Sequence, residues 1–269
     1  MKNVIGLSGE WAELIRDCRK LGPVWLQNQN HAASLRAINT IPSLTPPKHG
    51  NWAADSNRNL MLDYGQWSQV LAVTEIGLGE ITVLTPKNTP SFAAQLISRN
   101  QRLILKNIIK EYHRPEDEAL GPRPPCQALA PWTHEFRERA RQLRKTLSAT
   151  QPNAKTFHAI FERALNRNLN LRVAVINESA YLRYASLFTK IVCRKAVFRA
   201  QSEHATFTVD IAKLNSSWIV EAVCSCCQVA PWTLECYDQN DALCLIVQAP
   251  DEDSESGWRK IVSETLRSP

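Results

Sequence analysis

The sequence lacks any uncharged apolar run long enough to cross a membrane, which takes about 20 consecutive apolar residues. The first residues, MKNVIGLSGEWAELI, also lack the apolar core of a secretory signal. We therefore expect a cytoplasmic protein whose eight cysteines are mostly reduced. A hydrophobic content of 44% with 22% charged residues is typical of a soluble globular protein with a buried core.

Common catalytic motifs are also missing. The sequence contains no Walker loop, GxSxG, GxGxxG or HExxH motif, and no isolated carboxylate pair that would serve as acid and base. Nothing in the motifs therefore indicates hydrolysis or phosphoryl transfer. The formal charge of +6 weakly favours anionic partners, and carboxylates or phosphates fit it as well as nucleic acid does.

The cysteine spacing does not favour a metal site. Cys224 and Cys227 form one CxxC pair, whereas Cys236 and Cys244 are single. Structural zinc needs four converging ligands, usually from two close pairs. Cys226 lies next to Cys227 and would point to the opposite face of a regular strand. We expect small buried thiols, with no disulfide and no metal site.

The same order of elements occurs twice. Residues 9–30 read as an amphipathic helix followed by a strand, and residues 155–179 repeat that order. The segment LMLDYGQW corresponds to FTVDIAKLNSSW, and each ends in a tryptophan. Farther on, LTPKNTPSFAAQLI corresponds to QAPDEDSESGWRKIV. This pattern predicts a duplicated domain in which Trp67 and Trp218 hold matching positions.

The predicted organisation is two repeats joined by a linker. The first repeat covers 1–111 and ends in a helix predicted from about Ser91. Residues 112–131 contain five prolines and form the linker. The second repeat, 132–269, is predicted to hold the larger sheet, because the stretch between its tryptophan and the next Pro landmark is longer than in the first repeat.

The second repeat reads as helices followed by strands. Two helices, about 132–148 and 154–167, precede seven short strands and a last helix over 254–266. Alternation of polar and apolar residues in WTLECYD predicts half-buried antiparallel strands. The fold class predicted for the chain is therefore α+β.

Several segments together resemble the HemS/ChuS family of bacterial cytoplasmic haem-utilisation proteins. They are WAELIRDCRKLGPVWLQNQN, LMLDYGQWSQVLAVTE, NLRVAVINESAYLRYASLFTKIV and SSWIV…PWTLECYDQNDALCLIVQAP…GWRK. The family consists of tandem duplications in which helices precede a large curved antiparallel sheet. The resemblance implies this HemS/ChuX-like fold and a haem carrier or buffer, with haem degradation as the family's reported activity.

The resemblance also implies a haem site. The family's iron-ligating histidine corresponds to His134 in PWTHEFRERARQL. Arg137, Arg141 and Lys145 share its helix face and would contact the haem propionates. The alternative interpretation of this helix is a solvated basic face with an exposed histidine.

Two family features are absent from the sequence. The family arginine on the opposite haem face corresponds to Met61, and a tyrosine-containing segment near the last strand reads LIVQAP here. The alternative function is therefore a non-catalytic scaffold that keeps the fold and has lost haem. A nucleic-acid binder ranks third, because the net charge is small and the aromatic residues are scattered.

Two further groups are interpreted as structural. His158 lies beside the apolar stripe of its helix, where we expect a partly buried and hydrogen-bonded side chain. A basic cluster is expected to be ordinary sheet surface rather than one lip of an anion-binding cleft. It consists of Lys190, Arg194, Lys195 and Arg199.

Overall fold

The computed structural model describes residues 3–46, 51–74, 79–113, 154–221 and 232–267. Four helices lie within these ranges: α1 (Trp11–Cys18), α2 (Gln101–Tyr112), α3 (Ala154–Asn166) and α4 (Glu255–Arg267). The strands are β1 (Asn3–Leu7), β2 (Pro23–Gln29), β3 (Ala33–Thr40), β4 (Trp52–Ala54), β5 (Leu60–Asp63), β6 (Gln69–Thr74), β7 (Gly79–Leu84), β8 (Pro90–Gln95), β9 (Leu171–Ile176), β10 (Ala180–Ser186), β11 (Lys190–Arg194), β12 (Val197–Gln201), β13 (Ala205–Asp210), β14 (Leu214–Glu221), β15 (Trp232–Asp238) and β16 (Leu243–Gln248). Their pairings are antiparallel, and the predicted α+β class is confirmed.

The described residues form two compact units. The first contains those within 1–29, 36–131 and 177–182, and the second contains those within 30–35, 132–176 and 183–269. Each unit thus includes a short hairpin segment from the other half of the sequence. The repeat boundaries at 111 and 132 stay a prediction, because residues 114–153 lie outside the described ranges.

The main sheet of the first unit has the strand order β1-β6-β7-β8-β2. Alternation along β2 buries Val24, Leu26 and Asn28 on one face and leaves Trp25 and Gln27 partly exposed on the other. A smaller group of strands contains β4, β5 and the first residues of β10.

Helix α1 forms because apolar residues recur at helical spacing. Trp11, Leu14, Ile15 and Cys18 lie on one face, and all four are buried. The Trp11 ring lies 6.2 Å from that of Trp67, which is itself buried. The helix predicted for this segment is therefore confirmed.

A buried polar contact joins α1 to α2. The Tyr112 hydroxyl donates to the Asp17 carboxylate at 2.9 Å, and Lys20 Nζ lies 2.6 Å from the same carboxylate. The hydrogen bond from Lys20 and that from Tyr112 lower the pKa of Asp17 against the opposing effect of burial. Asp17 is therefore charged wherever the protein is folded near neutral pH.

This contact predicts a pH-dependent contribution to stability. The pKa of Asp17 in the folded protein is below its ordinary value of about 3.9, so its contribution is present above that value and is lost as the pH falls through the folded-state pKa. We expect Asp17→Asn to lower the melting temperature at about pH 7 and to differ less from wild type at about pH 3. Thermal unfolding followed by circular dichroism measures both differences. Glu13→Gln, on the exposed side of α1, is the control, and a difference that does not change with pH would contradict the expectation.

The second unit contains two strand groups, β11-β12-β13 and β14-β15-β16-β9. Phe161 of α3 anchors an aromatic cluster in its core. Its ring centroid lies 5.4 Å from that of Phe188, 4.9 Å from that of Phe198 and 5.8 Å from that of Phe207. Such rings bury large apolar areas, so this cluster is a main source of the unit's stability.

Two asparagine turns have the same geometry in the two repeats. The Asn30 side-chain oxygen accepts from the Ala32 and Ala33 amides at 2.9 and 2.7 Å. The Asn177 side-chain oxygen accepts from the Ser179 and Ala180 amides, also at 2.9 and 2.7 Å. Asparagine favours such turns because its side chain can bond to the backbone two residues ahead. Asn30 and Asn177 are thus equivalent positions.

A second pair of equivalent positions follows β5 and β13. The Asp63 side chain accepts from the Gly65 amide, and the Asp210 side chain accepts from the Ala212 amide. Each aspartate thereby caps a one-turn 3-10 helix. The interval from Asp63 to Asp210 equals that from Asn30 to Asn177.

These landmarks correct the predicted tryptophan match. The 3-10 helix after Asp63 is followed by Trp67, whereas the one after Asp210 is followed by Leu214. Leu214, not Trp218, therefore corresponds to Trp67, and the prediction was wrong. At the common interval, Trp218 corresponds to Leu71 of β6.

The longer stretch after Trp218, from which a larger second sheet was predicted, contains no additional described strand. Three strands and a helix follow the 3-10 helix in each half: β6, β7, β8 and α2 in the first, and β14, β15, β16 and α4 in the second. Ten residues, 222–231, separate β14 from β15, whereas four residues, 75–78, separate β6 from β7. These six additional residues account for part of the longer second spacing, and the rest arises because the tryptophans and prolines that define it are not at equivalent positions.

Two local predictions also needed correction. The helix predicted from about Ser91 begins at Gln101, and Pro90–Gln95 instead forms β8, paired with β7 and β2. Pairing on both sides outweighed the weak helix propensity of this alanine-containing segment. Residues 233–238 of β15 were predicted to be half-buried, yet all of them are buried.

Candidate functional site

The predicted haem-binding residues lie outside the described ranges. They are His134, Arg137, Arg141 and Lys145, within residues 114–153. Their roles therefore stay predictions.

Met61 is described, and it lies in β5 with only 8% of its surface exposed. It is in register with Ala54 of β4 and Tyr181 of β10. A buried thioether packs as an apolar group and offers no charge to an anionic ligand. Met61 thus cannot replace the cationic contact of the family arginine.

The LIVQAP segment forms the end of β16. Leu245 and Val247 are fully buried, and the segment carries no hydroxyl group. A tyrosine does occur on the neighbouring strand, because Tyr237 of β15 is in register with Leu243 of β16. Its hydroxyl donates to Glu235 Oε2 at 2.6 Å, so it is already hydrogen-bonded within the unit.

Polar residues form a buried ladder along β15. Glu235 is 1% exposed, and it lies between Thr233 and Tyr237 on the same strand face. Thr233 Oγ1 is 3.2 Å from Glu235 Oε1. WTLECYD was predicted only to be an alternating strand, so this ladder was not predicted from the sequence. The sequence pattern that indicates this ladder is a threonine, a glutamate and a tyrosine at every second position, which places the three side chains on one face of the strand.

The side chains on equivalent strand faces of the two repeats differ strongly in size. In the second unit, this face carries Trp218, Glu235, Ile246 and Ala174 across four paired strands. In the first unit, the positions in the same register carry Leu71, Thr82, Ala93 and Gln27. The interval from Asn30 to Asn177 and the interval from Asp63 to Asp210 are equal, and each aligns Leu71 with Trp218. The strand pairings then align the remaining positions.

The smaller side chains leave a cavity on the first unit's sheet. Its volume is about 440 Å³, within the range of roughly 300–1,000 Å³ that is usual for small-molecule sites. Its floor is apolar, with Leu71, Val73 and Ala93, and its polar groups include Gln27 and Glu80. This first-unit cavity is a second candidate site that the sequence analysis did not predict.

His158 is partly buried, as expected from the sequence. Its side chain is 44% exposed, and its Nδ1 lies 3.5 Å from Glu162 Oε2 on the next turn of α3. The basic cluster also agrees with a surface interpretation. Lys190, Arg194, Lys195 and Arg199 are all exposed around the β11–β12 hairpin.

The cysteines within the described ranges carry free thiols. They are Cys18, Cys193, Cys236 and Cys244, and of these only Cys193 is not buried. Burial raises the pKa of Cys18 to about 12 and that of Cys236 well above its ordinary value, which keeps these thiols protonated. The CxxC residues of the predicted cluster lie outside the described ranges. Among the described residues, no group of three or more histidine, cysteine, aspartate or glutamate side chains is placed to hold a metal ion.

The fold matches solved structures over almost the whole chain. The apo form of PhuS, a heme-binding protein from Pseudomonas aeruginosa, superposes with a TM-score of 0.80 at 17% identity, covering 97% of this chain and 86% of that one. ChuS, an Escherichia coli heme oxygenase, superposes with a TM-score of 0.75 at 13% identity, covering 98% and 89%. The chain has the PhuS and ChuS fold.

The holo form of PhuS superposes with a TM-score of 0.75 at 16% identity over the same share of the chain. Neither a family model nor a curated protein sequence matches this chain. The fold resemblance predicted from the sequence is therefore confirmed by structure, at an identity too low for the sequence comparisons to detect. No helix in the described part of the chain is long and apolar enough to cross a membrane.

Proposed function

We propose that this protein binds haem in the cytoplasm and acts as a carrier or buffer in haem and iron utilisation. The observation that carries the proposal is the shared fold, which extends over 97% of the chain with a TM-score of 0.80 to a heme-binding protein. A fold alone does not define a function, so the proposal depends on a specific ligand residue. That residue is His134.

A neutral imidazole is a common axial ligand of haem iron. In the predicted helix, Arg137, Arg141 and Lys145 follow His134 within about 16 Å, at roughly 1.5 Å per residue. That length is comparable to the width of a haem, so two of the three cations suffice for the two propionates. Charge-assisted hydrogen bonds to carboxylates are stronger than neutral ones, which makes these side chains suitable partners. The proposal includes no catalytic step.

Hemin titration of purified variants tests the ligand assignment. We expect wild type to give a saturable Soret shift at one equivalent and His134→Ala to lose the histidine-type spectrum, because no imidazole remains at the iron. Arg141→Glu should weaken affinity about tenfold without changing the ligand type, because it replaces an attractive charge with a repulsive one.

His158→Ala is the matched control, since His158 is a partly exposed helical histidine that contacts Glu162. It should titrate like wild type. Identical titrations of wild type and His134→Ala would show that His134 is not the ligand.

The alternative is a binding scaffold that has kept the fold without haem. The buried, uncharged Met61 favours it, because a family contact to the anionic ligand is missing there. So does β16, which carries no tyrosine. If wild type gives no saturable Soret shift, the scaffold function replaces the haem proposal.

A further inference from the structure

The basic cluster lies on the hairpin of β11 and β12, residues 190–201, which contains no acidic residue. All four of its side chains are exposed. None of them forms an ion pair or a hydrogen bond with a residue in the described ranges. The members of the cluster are Lys190, Arg194, Lys195 and Arg199.

Strand register places three of these cations on one face of the hairpin. Arg199 of β12 is in register with Val192 of β11, and Lys190 and Arg194 lie two positions to either side of Val192. Because every second side chain shares a face, Arg199 is the diagonal neighbour of both β11 cations. At about 3.4 Å per residue, the three positive charges extend over about 13 Å of strand. Lys195 continues the row into the turn.

Carboxylates on the adjoining strand and turn contact other side chains. Asp210, at the end of β13, is in register with Val197, and its carboxylate lies 3.6 Å from Lys213 Nζ. Glu203, between β12 and β13, has its carboxylate 3.7 Å from His204 Nε2. Neither forms an ion pair with the basic cluster, so the charge of the cluster is open to a partner.

The opposite face holds the hairpin in the core of the second unit. Phe198 and Ala200 are fully buried, and the Phe198 ring lies 4.9 Å from that of Phe161. At the turn, the Ala196 carbonyl accepts from the Ile211 amide at 2.9 Å. The cationic face therefore lies on a fixed backbone, and its side chains can be changed without disturbing the core.

An exposed valine lies among the cations. Val197 is 42% exposed and in register with Arg194, and Val192 is partly exposed beside Arg199. The surface of an anionic bilayer matches this combination, because its phosphates lie directly above apolar chains. Single-stranded nucleic acid is instead bound through aromatic side chains that stack on its bases. This face of β11 and β12 carries no aromatic residue, since it consists of Lys190, Val192, Arg194, Val197, Arg199 and Gln201.

From these observations we infer that the basic cluster docks on the surface of an anionic phospholipid bilayer. The four cations contact lipid phosphates, and Val197 enters the boundary between the head groups and the acyl chains. The contact is peripheral and reversible. It does not depend on the proposed haem binding.

Co-sedimentation of the whole protein with lipid vesicles tests the inference. Vesicles of equal parts phosphatidylglycerol and phosphatidylcholine supply the anionic surface, and vesicles of phosphatidylcholine alone are the neutral comparison. We expect saturable binding to the anionic vesicles at low salt and little binding to the neutral ones. Binding should disappear at about 1 M salt, where the screening length falls to about 3 Å.

Variants separate the cluster from the net charge of the protein. The double variant Arg194→Gln, Lys195→Gln should lower the affinity for anionic vesicles about 25-fold, because each cation near such a surface contributes about fivefold. The matched control is Lys106→Gln, Lys110→Gln, which removes the same charge from the exposed face of α2 and should bind as wild type does. Val197→Ser should weaken binding about threefold at unchanged charge.

Melting temperatures and hemin titrations of every variant should show no loss relative to wild type, which distinguishes this inference from the haem proposal. The inference is overturned if wild type does not bind anionic vesicles, or if the two double variants lose affinity equally. Fluorescence anisotropy with a labelled DNA duplex provides the other test. If the duplex binds more tightly than the vesicles and depends on Arg194 and Lys195, the surface belongs to nucleic acid and the inference is wrong.

Discussion

Asn177→Asp is expected to lower the melting temperature of the protein by about 10 °C. The amide nitrogen of Asn177 donates to Asn28 Oδ1 at 2.6 Å, to the Gln29 carbonyl at 2.7 Å and to the Ser91 carbonyl at 3.1 Å. A carboxylate oxygen in that place would face three acceptors and offer no hydrogen.

The size of the effect follows from the partial burial of these groups. Leaving a buried acceptor without a donor costs about 1–3 kcal/mol, and an uncompensated charge costs more. The substitution keeps the other side-chain oxygen, which accepts from the Ser179 and Ala180 amides, so the turn itself remains possible. The loss therefore combines the missing hydrogen bonds of the amide nitrogen with the repulsion between the new charge and the three acceptors.

Asn100→Asp is the matched control, because Asn100 precedes α2 and its side chain makes no capping hydrogen bond. A new negative charge at the start of a helix is slightly favourable, so its melting temperature should stay the same or rise. Equal losses for the two variants would mean that the Asn177 contacts contribute nothing specific. Thermal unfolding by circular dichroism at neutral pH decides between these outcomes.

Trp258→Ala is expected to destabilise the protein by about 3–5 kcal/mol, the range for deletion of a buried large aromatic side chain. Trp258 is fully buried on α4, and its indole Nε1 donates to the Trp232 carbonyl of β15 at 2.6 Å. On the same helix, the Glu255 carboxylate accepts from the Trp232 amide at 2.8 Å. The substitution thus removes both a core side chain and one of these two hydrogen bonds between α4 and β15.

Leu266→Ala provides the comparison on the same helix, because Leu266 is 51% exposed. It should change the free energy of unfolding by less than about 0.5 kcal/mol, as expected for a surface position. Urea unfolding followed by tryptophan fluorescence and by circular dichroism measures both variants. A loss for Trp258→Ala no greater than that for Leu266→Ala would show that α4 does not depend on this anchor.

Equivalent strand faces of the two repeats differ in their side chains and in their burial. On the second, Trp218, Ile246 and the hydrogen-bonded Glu235 are buried. On the first, the smaller Leu71, Thr82 and Ala93 line a cavity, and Glu80 is the one carboxylate among the described residues that line it. After duplication, one framework thus carries two chemically different surfaces.

Several features were predictable from the sequence alone because they depend on local periodicity. The apolar spacing of α1 and α3 predicted both helices, and the strand of residues 171–176 was predicted with its observed bounds. The order of helices and strands predicted the α+β fold, which the match to the PhuS and ChuS structures confirms. The predicted haem ligand His134 is also a sequence inference, and the hemin titration tests it.

The tertiary structure alone decided which residues of the two repeats are equivalent. Two tryptophans that look alike in sequence, Trp67 and Trp218, are not equivalent, because the Asp63 and Asp210 turns set a different register. The tertiary structure also decided that Pro90–Gln95 is a strand, since β7 and β2 supply the hydrogen bonds of this segment. The first-unit cavity depends on side chains from five strands, β1, β2, β6, β7 and β8. Periodicity shows which face of a strand a residue occupies, whereas cross-strand register, which only folding establishes, determines its neighbours.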